Sequence, residues 1–103
     1  MRWLQNCFHH LNTYMAKEYL GTLNILVNER EINAPEINNV ITEHGRLVRA
    51  RLGIHLQPKC VKGCSGLITL IVQGERSELE KFEKETAKYK FTVTKLCLIS
   101  EVE

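Results

Sequence analysis

The stretch Leu67-Ile68-Thr69-Leu70-Ile71-Val72, closed by Gly74, decides the fold. Its apolar side chains occupy both parities, so as a strand it presents hydrophobic groups to both sides of a sheet. It therefore belongs at the centre of a sheet whose second face is also covered. Immediately before it, residues 57–65, with Pro58 and Gly63 inside and Gly66 next to them, read as a connecting loop. Before that loop, Arg46 to Leu56 alternates, with Val48, Ala50, Leu52, Ile54 and Leu56 on one parity and expected on the core face. After Gly74, Ser77-Glu78-Leu79-Glu80 has the form of a capping box. The helix it opens turns Leu79, Phe82, Thr86 and Ala87 inward, and Phe91 to Ile99 is a closing strand.

Working toward the N-terminus, Thr22 to Val27 sets Leu23, Ile25 and Val27 against Asn24 and Asn28, the pattern of a half-buried strand. Asn33-Ala34-Pro35-Glu36 then predicts a helix start, with Asn33 as N-cap and Pro35 in the first turn. Ile37, Val40, Ile41 and His44 form its inner face, and Gly45 stands at the C′ position. The order is strand, helix, strand, strand, helix, strand. Right-handed crossovers and uncrossed connections make this an α+β, ferredoxin-like βαββαβ sandwich: a four-stranded antiparallel sheet with two helices on one face.

Residues 20–103 form that domain, and residues 1–19 form an N-terminal extension. Trp3, Leu4, Cys7, Phe8, Leu11, Tyr14 and Met15 recur there at helical spacing, which predicts a short helix; alternatively Met15 is the native start and residues 1–14 are an upstream extension. Nineteen residues are too few for a helix-turn-helix or ribbon-helix-helix module. In so small a chain, only another protomer or this segment can cover the second sheet face, so a homo-oligomer, dimer or tetramer, is expected.

Composition narrows the chemistry. The chain has 103 residues, 14 Lys+Arg against 12 acids and a net charge of +2, too balanced for a tight phosphate footprint, so direct nucleic-acid binding is not expected. No run approaches the ~20 apolar residues of a membrane helix. Gln5, Asn6, His9, His10 and Asn12 interrupt any signal-peptide core, so Cys7, Cys60, Cys64 and Cys97 read as thiols of a cytoplasmic protein. All 12 acids are Glu. The lack of Asp excludes EF-hand loops, Asp dyads and an Asp-form Ser-His-Asp triad, and leaves any metal to His, Cys or Glu.

Two constellations could carry function. Between Glu43 and Glu75 there is no acid, but there are Arg46, Arg49, Arg51, Lys59 and Lys62. Arg49, Arg51 and His55 share the parity opposite the apolar set and are expected to project from the open sheet face, with Asn24 and Asn28 beside them. This is either a solvated polar face or an effector site in which Asn28, Arg49 and Arg51 receive a carboxylate or phosphate. The second constellation is His55, Cys60 and Cys64, imidazole and thiolate donors suited to Ni, Zn, Cu or Fe. The plainer alternative is two free loop thiols and a surface imidazole. A fourth ligand would have to come from a neighbouring protomer or from His9/His10, because His44 lies roughly 30 Å away at the far end of the strand. A Cys–His nucleophile pair lacks a third, orienting group, and the scattered glycines form no phosphate cradle, so catalysis is not expected.

Three segments carry a family resemblance: Leu23-Asn24-Ile25-Leu26-Val27-Asn28-Glu29-Arg30, Ile41 to Ile54 with its His44-Gly45 and Arg51-Leu52-Gly53-Ile54, and Gly66 to Gly74. Over about residues 20–99 the chain resembles the small regulators linked to iron-only hydrogenase systems. The resemblance implies an ACT-like domain, similar to the metal-sensing half of the nickel-responsive repressor. Such domains assemble through their sheets and bind small effectors or metal between protomers. In that repressor the ligands are His and Cys around the second strand and its following turn, the neighbourhood of His55 and Cys60. The cysteine-bearing loop 58–64 and the N-terminal segment depart from the family pattern. The function expected is a non-catalytic, oligomeric regulatory or sensor domain, binding a transition metal at His55, Cys60 and Cys64 or a small anion near Arg49 and Arg51. It would act on transcription through a partner protein. The alternative is an interaction or maturation accessory module for a metalloenzyme system, binding another protein through the basic loop at Lys59 and Lys62.

Overall fold

A computed structural model describes residues 17–57, 59 and 62–102. Its elements are β1 (Glu18–Val27), α1 (Arg30–Glu43), a 3-10 turn (Gly45–Leu47), β2 (Val48–His55), β3 (Gly66–Glu75), α2 (Arg76–Ala87) and β4 (Thr92–Val102). The strands form one antiparallel sheet in the order β2-β3-β1-β4, the expected ferredoxin-like layout with β3 and β1 central. Leu23, Ile25 and Val27 of β1 and Leu70 and Val72 of β3 pack against Ile37, Val40 and Ile41 of α1 and Leu79 and Phe82 of α2. The N-terminal helix expected over residues 1–19 falls on residues 1–16 outside the described residues, while Glu18 and Tyr19 already belong to β1.

Both helix starts differ from the sequence expectation. α1 begins at Arg30 after Glu29, which holds a left-handed conformation (φ 50°, ψ 50°) and makes no side-chain cap bond. Asn33 is buried inside the first turn, where its Nδ2 donates to Asn28 O at 3.3 Å and Lys90 O at 2.7 Å. Two part-buried hydrogen bonds to carbonyls of other segments thus outcompete the capping role. The loop after β2 caps instead, since Arg30 N–H donates to Cys64 O at 2.9 Å. At the other end His44 is the C-cap (φ −103°) and Gly45 opens the 3-10 turn, so no left-handed glycine is used. In α2 the capping box is built from Glu75 and Glu78, two residues ahead of Ser77 and Glu80, because the helix follows β3 without a linker. Leu79, Phe82 and Thr86 are buried as expected, but Ala87 is exposed at the helix end. Gly74 makes this junction possible: a Cβ there would meet Leu47 Cδ2 at 2.7 Å.

The largest departure is in β2. Val48 pairs with Val72, but the next partners are Ala50 with Ile71 and Arg51 with Leu70, so the register shifts at Arg49. One extra residue in a bulge reverses which face every later side chain meets. Arg51, Gly53 and His55 pair with Leu70, Ile68 and Gly66, the helix-side positions of β3. Ala50, Leu52 and Ile54 pair with Ile71, Thr69 and Leu67, on the open side. Val48 keeps the core side, while Ala50, Leu52 and Ile54 face away from the core, opposite to the alternation argument.

Candidate functional site

The bulge separates two surfaces. The open sheet face carries Leu52 (65 % exposed), Ile54 (46 %), Ile71 (42 %) and Val93 (51 %), joined by half-buried Leu26 and Leu67. Its centre is polar but internally bonded: Asn24 Oδ1 accepts from Thr69 Oγ1 at 3.1 Å, and Asn24 Nδ2 donates to Lys95 O at 3.3 Å. Asn24 is thus on the open face, as the alternation predicts.

On the other side, a cavity of about 230 Å³ opens between α1 and the β2–β3 edge. Arg30, Ala34 and Asn38 line it from one stripe of α1, and Arg51, Gly53 and His55 line it from β2. Asn38 Oδ1 accepts from Arg51 Nη2 at 2.6 Å, which fixes one guanidinium at the mouth. Arg30 reaches across the sheet end; a Cβ at Gly66 would meet its Cδ at 3.4 Å. Its Nη2 approaches His55 Nδ1 to 3.5 Å, the outer limit of a hydrogen bond. Its Nε is buried with no partner among the described residues. A buried N–H left unpaired costs about 1–3 kcal/mol. Among the described residues no carboxylate lines the cavity. The acids flanking Arg30 turn to the loop: Gly63 N–H donates to Glu31 Oε1 at 2.9 Å, and Glu29 lies on the same glycine. The Glu31 carboxyl is held below the usual range by its own backbone N–H first, then by those of Gly63 and Cys64.

The predicted site residues scatter. Of the effector set Asn28, Arg49 and Arg51, only Arg51 lines the cavity, and it does so from the helix side. Asn28 follows β1, and its Oδ1 accepts from Ser65 Oγ at 2.7 Å. Arg49 occupies the bulge and donates to Gln73 Oε1 at 3.3 Å and Arg46 O at 3.2 Å. Of the metal set, His55 stands beside the Arg30 guanidinium, a setting that repels a cation. Cys64 is buried and disulfide-bonded, so its sulfur is no thiolate ligand in this state, and Cys60 lies outside the described residues. Arg30 and Asn38 were missed. Their spacing with Ala34, four residues apart each time, would have shown one helical stripe had the helix been started at Arg30.

A separate group, Glu43, His44 and Glu85, brings three ligand-type atoms within 4.8 Å of one another. His44 is already engaged: its ring stacks on Phe82 at 4.6 Å, Nδ1 lies 3.0 Å from Val40 O, and Nε2 lies 3.6 Å from Glu85 Oε1. It serves the packing of α1 on α2. No helix among the described residues is long and apolar enough to cross a membrane.

Comparison with known proteins agrees with the topology. Residues 19–85 match the TM1266-like family model, described as "Iron-only hydrogenase system regulator, putative". The solved structure of the uncharacterized protein TM1266 from Thermotoga maritima superimposes with a TM-score of 0.69 at 14 % identity, covering 81 % of this chain and 99 % of that one. At that identity the likeness is one of fold. No curated protein matches the chain.

Proposed function

Because the chain belongs to the TM1266-like family of iron-only hydrogenase system regulators, we propose that it is a regulatory domain without catalytic activity that works as an assembly of identical copies joined through the open sheet face. The observation that supports this reading is the apolar set Leu52, Ile54, Ile71 and Val93, exposed on one face of the sheet. Four strands about 4.8 Å apart and roughly ten residues long present about 600 Å² per copy, or about 1,200 Å² in a pair, the lower end of specific interfaces. Charged side chains such as Arg49 and Lys95 stand on this side too, outside the Leu52–Ile54–Ile71 patch at the β2–β3 edge, so two copies bring apolar patch to apolar patch.

Sedimentation of the full chain at tens of micromolar tests this. A dimer or larger closed assembly is expected. A stable monomer refutes the reading and leaves the face to a different protein, as an accessory module of a metalloenzyme system would use it.

A further inference from the structure

We propose that the cavity between α1 and the β2–β3 edge is a binding site for a small organic carboxylate. Two guanidinium groups, Arg30 and Arg51, line it together with His55, and among the described residues no carboxylate does. Arg30 is built into the wall rather than laid on the surface. Gly66 gives its stem room to cross the sheet, and its Nε is buried with no partner among the described residues. A carboxylate presents two oxygens at the spacing of adjacent guanidinium N–H groups, so a guanidinium on the cavity wall takes it through two parallel hydrogen bonds. Arg51, tethered by Asn38 through one nitrogen, keeps its remaining donors for the same anion.

The rest of the lining selects among anions. Val27, Ala34 and Ile68 give an apolar floor next to the charged wall. An anion with a short aliphatic body covers that floor, whereas an inorganic oxyanion would have to shed water against it. The volume, about 230 Å³, compares with about 30 Å³ for one water, so a ligand of several heavy atoms fits and a bare ion leaves most of the space unfilled. A metal cation is disfavoured by the same two guanidinium charges.

The test is calorimetric titration and thermal melting of the full chain at constant ionic strength, with butyrate, its neutral isostere butyramide, and inorganic phosphate. Butyrate is expected to bind saturably and raise the melting temperature, butyramide to do neither, and phosphate to bind at least about tenfold more weakly than butyrate. Arg30→Gln and Arg51→Gln are each expected to weaken butyrate binding about tenfold or more, while Arg49→Gln, outside the cavity, leaves it unchanged. Arg51 is exposed, so its variant remains informative even where Arg30→Gln loses the fold. Butyrate binding no tighter than butyramide, phosphate binding tighter than butyrate, or an Arg51→Gln protein that binds as the parent does overturns the assignment. The site does not depend on self-association: a monomer that binds butyrate upholds the cavity and refutes the assembly.

Discussion

Replacing Leu52 with glutamate separates a core position from an interface position in one measurement. Were Leu52 on the core face, as simple alternation along β2 implies, a buried carboxylate would unfold the chain. The bulge at Arg49 puts it on the open face, 65 % exposed in the single chain. Full burial of a leucine is worth about 1.5–3 kcal/mol. With 65 % of the residue still exposed, about 1–2 kcal/mol remains to be gained by covering it. In a two-fold pair both copies contribute, so the lost apolar term alone is about 2–4 kcal/mol, or about 30- to 1,000-fold in the dissociation constant. Bringing two carboxylates together near the axis adds desolvation and repulsion to that figure.

The assay is sedimentation velocity across a concentration series, paired with far-UV circular dichroism. Leu52→Glu is expected to keep the secondary structure of the parent and to shift the mass toward the monomer by at least the factor above. Two results refute the reasoning on different grounds. Loss of the folded spectrum shows that Leu52 faces the core and that the β2 register is wrong. A folded variant with an unchanged association constant shows that the open face is not where copies meet.

Other predictions follow from the same contacts. Gly21→Ala puts a Cβ 2.4 Å from Cys97 O, a backbone atom of the paired strand that cannot turn aside, so urea unfolding should show a loss of about 1–3 kcal/mol; Gly53→Ala, with nothing within 4 Å, should stay within about 0.5 kcal/mol of the parent. Asn33→Ala leaves the carbonyls of Asn28 and Lys90 without their donor and should cost about 1–3 kcal/mol in the same assay. Glu78 has its carboxyl lowered chiefly by the hydrogen bond from Arg46, so the stability it contributes is present above the ordinary value of 4.5 and is lost as the pH falls through the lowered one. The pair is largely solvent-facing, so Glu78→Gln should shift the urea midpoint slightly at pH 7 and less at pH 3, and the pH 7 effect should shrink with added salt; an equal shift at both pH values contradicts the ion-pair account.

The strand and helix order was legible because each element carries its own period and each junction its own punctuation. Leu23, Ile25 and Val27 alternate, Ile37, Val40 and Ile41 recur at helical spacing, and Gly74 marks a junction where Leu47 tolerates no side chain. The helix starts were displaced for a physical reason that lies in tertiary contacts. Asn33 would make a good N-cap in an isolated helix, but in the folded chain it is the donor that satisfies two carbonyls from other segments, one of them 57 residues away in the turn before β4. A local capping rule cannot weigh that demand.

The bulge in β2 was not legible from β2 alone, since Val48, Ala50, Leu52, Ile54 and Leu56 keep perfect alternation. The neighbouring strand contained the missing constraint. β3 is apolar on both parities, so both of its faces need apolar partners in β2, and a single unbroken alternation supplies only one. With the extra residue at Arg49, Val48 serves the core against Val72 while Leu52 and Ile54 serve the open face. The acid-free run misled for a related reason: closeness in sequence grouped cations that the fold disperses. Arg46 pairs with Glu78, Arg49 with Gln73, and only Arg51 reaches the cavity. Its partner, Arg30, comes from outside the run, on a helix whose first turn is set by the loop that follows β2. The cation pair is therefore a product of topology, assembled where the start of α1 crosses the end of the β2–β3 hairpin.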